Sequence, residues 1–217
     1  DICRLLIEQI AMEARKSEYV DQKSGVSARL TISAYENLVS TAELRALASG
    51  DLQTMVRIAD FIGVVPSITG KIELVYEGEQ EGPLNVAHRL LGQAIRSLFI
   101  QYFPDPQSFK KGRDIQKVKS KTNPYQPIID WFGNGNDVLL IQNENTETHY
   151  SKLYSVGGLY AAVKQFYPNA DEAQAGLLME FLLHGLAEFS LISKKGVENG
   201  SYVFADMLGS MLNINFD

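Results

Sequence analysis

A single cysteine, Cys3, stands in a chain of 217 residues. One thiol excludes an intrachain disulfide and a cysteine-built metal site, and it fits the reducing conditions of a cytoplasmic protein. Histidine is almost as scarce. His88, His149 and His184 lie far apart and show no metal-ligand spacing, so no metal site is expected. Apolar runs are short: none approaches the ~20 residues that a membrane-spanning helix needs, and no secretory signal opens the chain. Positive charge is in deficit, with 20 Lys and Arg against 26 Asp and Glu and a formal charge of -6, which disfavours a general nucleic-acid surface. No serine sits in a nucleophile elbow. Gly157–Gly158 lacks the strand–glycine–helix setting of a dinucleotide fingerprint. Gly70–Lys71 has only the ending of a phosphate-binding loop. Val65 stands where the earlier glycine is required, and Ile72 follows the lysine in place of Ser or Thr. Hydrolysis of ATP by this stretch alone is not expected.

What is present suits a folded, soluble protein with a real core, 45% of residues being hydrophobic and 21% charged, and the patterns along the chain read as mostly α. The length allows one large domain or two small ones. Helical spacing runs over residues 2–16, with Ile2, Leu5, Leu6, Ile10 and Met12 as its apolar members. The chain runs from Asp1 straight into this pattern, which reads as a start partway through a helix, with an upstream part expected. Ser27 is a candidate cap for a second helix whose inner side holds Leu30, Ala34, Leu38, Thr41 and Leu44, and Ser49–Gly50 stops it. A short segment from Met55 to Val65 follows. Pro66–Gly70 reads as a turn, and the alternation of Ile72, Leu74 and Tyr76 predicts a short strand or extended arm. Gly78 and Gly82 bracket a polar turn.

A strong helix is predicted over 85–103, ended by Pro104 and Pro106. Residues 105–123 are polar and basic. Later helices are predicted over 127–132, 150–156, 159–167 and 171–192, with a strand over 138–142 and a last helical pattern over 202–216. The pattern changes between residues 63 and 82.

Arg29 leads the residues that could carry chemistry. A guanidinium is permanently charged and offers donors in a fixed fork; at a helix start it can lean toward a phosphate while the helix holds its base. The alternative is a surface arginine paired with Glu36. Arg45, Arg57 and Arg96 could each reach a neighbouring subunit, or sit on helix surfaces. The carboxylates Glu73, Glu77, Glu79 and Glu81 could hold a divalent ion, or be solvated. His184, in an apolar stretch, is expected to be a hydrogen-bonded core histidine. Tyr19, Trp131 and Phe132 are expected to pack. The run Lys110, Lys111, Arg113, Lys117, Lys119 and Lys121 could meet a phosphate backbone, or be a solvated loop.

The segment Ser24-Gly-Val-Ser-Ala-Arg29, followed by Leu30-Thr-Ile-Ser-Ala-Tyr35, resembles the second-sensor region of AAA+ ATPases. More narrowly it is similar to the magnesium-chelatase ATPase subunit and its MoxR-like relatives. The run from Pro66 to Gly82, with its Glu-Gly-Glu-Gln-Glu core, resembles a bacterial subgroup labelled sigma-54-interacting-like, as does Glu180-Phe-Leu-Leu-His-Gly-Leu186. The resemblance implies a helical lid over 1–62, an extended acidic linker over 63–82, and a mainly helical accessory domain with a few short strands over 83–217. It implies that Arg29, with Ser27 beside it, contacts nucleotide, and that Val56 and Asp60 end a short lid segment. The phosphate-binding loop, the magnesium-binding acid and the arginine finger would lie upstream. ATP and Mg would bind the parent, with no tight binding to this portion alone. The parent would form a homo-oligomeric ring and remodel, or insert metal into, a protein partner. A structural or protein-interaction domain, and a nucleic-acid-binding module at 110–121, are the competing readings.

Overall fold

A computed structural model describes residues 2–109, 123–197 and 200–207. The protein is mostly helical, with a small antiparallel sheet. Its contacts form two compact units. The first holds residues 1–98 and 142–146, and the second holds 99–141 and 147–217, so the chain passes between them three times.

The first unit begins with α1 (Ile2–Lys16) and α2 (Leu30–Ser49). The buried side of α1 is Ile2, Cys3, Leu6, Ile7, Ile10, Ala11 and Ala14. Leu5 and Met12, expected inside, are 40% and 47% exposed. In α2 the buried positions are Leu30, Ala34, Leu38, Ala42, Arg45 and Ala46. Leu44, expected inside, is 66% exposed, because the buried guanidinium of Arg45 turns the inner face by one position. The helix ends at Gly50, in the left-handed conformation at φ 76°.

A 3-10 segment, Ile58–Val64, leads into α3 (Val65–Thr69). Pro66 therefore sits in the first turn of a helix, where its missing N–H costs nothing, and the expected turn at 66–70 is not formed. The expected strand at 72–76 is reduced to two isolated bridges, Val26 with Ile72 and Val20 with Leu74. Tyr76–Glu81 is a short helix, α4, in place of a polar turn. The stretch 63–82 is thus folded into the first unit rather than extended as a linker. Its four glutamates, Glu73, Glu77, Glu79 and Glu81, are exposed. No group of acidic, His or Cys residues fit to hold a metal is found among the described residues.

One buried ion pair ties these pieces together. Arg45 is 1% exposed and Asp60 is fully buried. Nε of Arg45 donates to Oδ1 of Asp60 at 2.9 Å, and Nη2 donates to Oδ2 at 2.9 Å and to the Met55 carbonyl at 2.6 Å. The Arg57 backbone N–H donates to Oδ2 of Asp60 at 2.8 Å. The Arg57 side chain, also buried, donates to the Glu144 carbonyl at 2.9 Å and to the Thr146 hydroxyl at 3.2 Å. Arg45 and Arg57 are therefore interior fasteners, not surface residues that could reach another subunit. Thr146 in turn donates its hydroxyl and its N–H to Asp51, at 2.8 and 3.0 Å. Burial pushes the Asp51 carboxyl up, but those two bonds and the nearby Arg57 charge outweigh it and hold the group below its ordinary range.

Helix α5 (Pro83–Tyr102) runs from the first unit into the second. The second unit continues with α6 (Gln126–Gly133), β1 (Val138–Leu140), α7 (Thr146–Ser155), α8 (Leu159–Phe166) and α9 (Glu172–Glu188). It closes with β2 (Ser193–Val197) and β3 (Ser201–Ala205). The sheet order is β1-β3-β2, all antiparallel, with Val138 opposite Phe204 and Ser193 opposite Ala205. The helical pattern expected over 202–216 gives way to β3 at its start, and residues 208–217 lie outside the described residues. The basic run 110–121 lies outside them too. The core of this unit is aromatic. Phe99 meets Phe103, Tyr125, Phe181 and Phe189 at ring distances of 5.4, 6.0, 6.1 and 5.4 Å. Trp131 and Phe132 pack edge to face at 4.9 Å, as expected of packing residues.

Two substitutions test these cores. Arg45→Met strands the Asp60 carboxylate in the interior and is expected to cost about 3–5 kcal/mol in chemical denaturation. At Gly185 of α9, an added Cβ would lie 2.0 Å from the Phe99 ring. Helix propensity alone favours alanine by about 1 kcal/mol, but this overlap reverses the sign. Gly185→Ala is expected to lower stability by roughly 1–3 kcal/mol, read as a fall in Tm.

Candidate functional site

Arg29 stands at the N-cap of α2, with its side chain exposed. The loop before it is fixed by a short irregular ribbon. The N–H groups of Asp21 and Ser27 donate to the carbonyls of Glu73 and Lys71, at 2.8 and 2.9 Å, and Val75 N–H donates to the Tyr19 carbonyl at 3.1 Å. Within the loop, the Asp21 carboxylate accepts from the N–H groups of Lys23 and Ser24, at 2.6 and 3.2 Å. Those two backbone bonds hold its carboxyl below the ordinary range. Gly25 closes the turn at φ 65°, a conformation that suits glycine. Arg29 is thus carried at the end of a braced loop and the start of a 20-residue helix.

Ser27 does not cap α2 as expected. The helix begins without a side-chain cap, and the Ser27 hydroxyl accepts the Arg29 N–H at 3.3 Å, one turn early. The Ser27 carbonyl accepts from Leu30 N–H at 3.0 Å. Serine therefore shapes the approach to Arg29 instead of completing the helix. Among the described residues the Arg29 side chain makes no hydrogen bond or ion pair, so the expected alternative pairing with Glu36 is not formed. Glu36 instead helps line an open groove of about 590 Å³ between α1 and α2. Arg4, Ile7 and Glu8 form one wall; Thr31, Ile32 and Tyr35 join Glu36 on the other. Arg29 and Ser27 lie just ahead of this second wall in sequence and are not among the lining residues. Arg96 lies on the exposed side of α5, as a helix-surface residue.

A second cluster, in the second unit, is buried. His149 of α7 and Glu180 of α9 are 2% and 1% exposed, with Nε2 and Oε2 3.8 Å apart. One turn beyond Glu180 is His184, 2% exposed. Both of its ring nitrogens are buried and lack a hydrogen-bond partner among the described residues. The expectation of a core position for His184 is met, but that of a hydrogen-bonded one is not. Its neighbours are the rings of Tyr202 and Phe204 on β3, edge to face at 5.1 Å each. Sequence reasoning missed this cluster, since its members come from two helices, α7 and α9. The spacing of Glu180 and His184 on one helix was its only local sign. The third histidine, His88, is exposed.

Comparison with known proteins finds no family model, no curated protein and no solved structure that matches the chain. Among the described residues, no helix is long and apolar enough to cross a membrane.

The loop geometry makes a prediction that separates support from contact. Gly25→Ala places a Cβ in the left-handed region and is expected to cost about 1–2 kcal/mol, measured by urea denaturation. Arg29→Ala, an exposed and unpaired position, is expected to stay within about 0.5 kcal/mol of the parent chain.

Proposed function

We propose that the first unit is the lid of a AAA+ ATPase and that Arg29 is its phosphate-sensing residue. A single observation carries this reading: an exposed guanidinium, unpartnered among the described residues, at the start of a helix whose far end is locked by the Arg45–Asp60 pair. A free surface arginine is ordinary, but one mounted on a braced loop is held where an incoming anion can be gripped without reorganising the protein. The uncapped start of α2 adds to this, since helix amino ends favour negative charge. ATP and Mg would bind an upstream core in the parent protein. Release of the terminal phosphate would free the arginine, and the lid would swing with α2 as its lever. Ring assembly and remodelling of a partner protein belong to the same proposal. The test uses the full-length parent. Arg29→Ala is expected to lower ATP turnover on the order of 10²-fold, with Arg29→Lys intermediate because one point charge replaces the fork. Unchanged turnover and nucleotide affinity would overturn the reading.

A protein-interaction role is the second reading, supported by Leu44, Leu47 and Leu52, which are 66%, 80% and 103% exposed. Joined into one contiguous patch, such side chains would offer another protein a surface to cover. Retention of a partner by the Arg29→Ala protein at undiminished turnover would favour it.

A further inference from the structure

We infer that His184 is the pin of an acid-released latch: a proton on its ring frees the β2–β3 hairpin from α9.

A neutral imidazole has one donor and one acceptor nitrogen, whereas the protonated ring has two donors and needs two acceptors. The pocket around His184 has no acceptor in hydrogen-bond contact with either nitrogen among the described residues. Instead, the ring edges of Tyr202 and Phe204 close over it from β3. These two residues join β3 to α9. Phe204 is fully buried, while β2 is largely exposed along its length. The His184 imidazole is thus the α9 contact of both rings, beside the Lys194–Glu188 pair from β2 and the pairing of β3 with β1.

The charges facing His184 come from several elements. From β2, the Lys194 ammonium lies 5.7 Å from the Tyr202 ring and 2.6 Å from Glu188 at the end of α9. From α7, His149 adds a second imidazole, and from β3, Tyr202 contributes a phenol. Glu180, one turn back on α9, is the group that favours a proton on His184, and it also faces His149 at 3.8 Å. The balance is against the charged ring. Burial first, then Lys194, push the His184 pKa down to about 3, with Glu180 opposing.

The sign follows from linkage. With the hairpin open, His184 regains an ordinary value near 6.5. The closed form is fully favoured above that pH and loses ground progressively as pH falls toward the closed-state value. Each pH unit in that window shifts the open-to-closed ratio by up to about tenfold for one proton. Closure depends on a neutral ring, and the ring can take its proton only in water, so opening is local to the hairpin before the aromatic helix core is disturbed.

Hydrogen exchange of the whole chain between pH 6.5 and 5 tests this, corrected for the intrinsic pH dependence of exchange. Amides of 194–197 and 202–204 are expected to lose protection by up to about tenfold per pH unit, while amides of 178–182 change less. The slope is expected to vanish in His184→Phe and to persist in His149→Gln. The inference is overturned if His184→Phe keeps the slope, if His149→Gln removes it, or if both segments lose protection together. If His184→Phe does not fold, His184→Leu and a direct NMR titration of the parent imidazole replace it. A closed-state ring that titrates above pH 6 would equally overturn the latch.

Discussion

The buried pair of Arg45 and Asp60 is the constraint on which the first unit rests. A bidentate guanidinium–carboxylate contact at 2.9 Å removes two full charges from water. A backbone carbonyl and a backbone N–H add to the set, while Nη1 of Arg45 is buried without a hydrogen-bond partner among the described residues. The pair fastens the C-terminal part of α2 to the 3-10 segment at 58–64, which in turn leads through α3 to the ribbon that braces the Arg29 loop. Packing alone would let α2 slide or roll by a residue. A forked ion pair with fixed geometry does not. Orientation at the start of the helix is thus decided at a site near its other end.

The second unit is organised differently. Its centre is a set of aromatic rings around Phe99, with tyrosine hydroxyls turned outward to carbonyls. Tyr167 donates to the Tyr102 carbonyl at 2.7 Å and Tyr125 to that of Pro104 at 2.5 Å. Burial, with Asp105 nearby, pushes the Tyr125 phenol up, so it remains a donor throughout the ordinary pH range. Rings supply apolar area at little conformational cost. The buried His149, Glu180 and His184 stand beside this core as its polar exception.

The mostly α character and the major helices were legible because long amphipathic periods are strong local signals. Helices α1, α2, α5 and α9 fall within a few residues of their expected bounds. The phase of α2 was not legible, since a stripe drawn through Leu44 assumes that the charged Arg45 faces water. Only Asp60, fifteen positions later, makes Arg45 an interior residue. The hairpin β2–β3 was missed for a similar reason. Phe204 and the residues after it have helical spacing, but the strand is held by Val138 of β1 and by the ring of His184, both distant in sequence. Around the candidate site, Arg29 was legible as an unusual charge at a helix start. The role of Ser27 was not, because capping and shaping the preceding turn use the same hydroxyl and differ by one hydrogen bond.

The return of residues 142–146 to the first unit has a consequence for how the protein comes into being. Asp51 and the Arg57 side chain find their partners in a five-residue loop borrowed from the far side of α5. During synthesis these groups must wait in solvent until the residues 87 and 95 positions further on have left the ribosome. Neither half can be excised as one uninterrupted piece without severing the other. The two bodies are therefore interlaced along the gene even though each has its own interior.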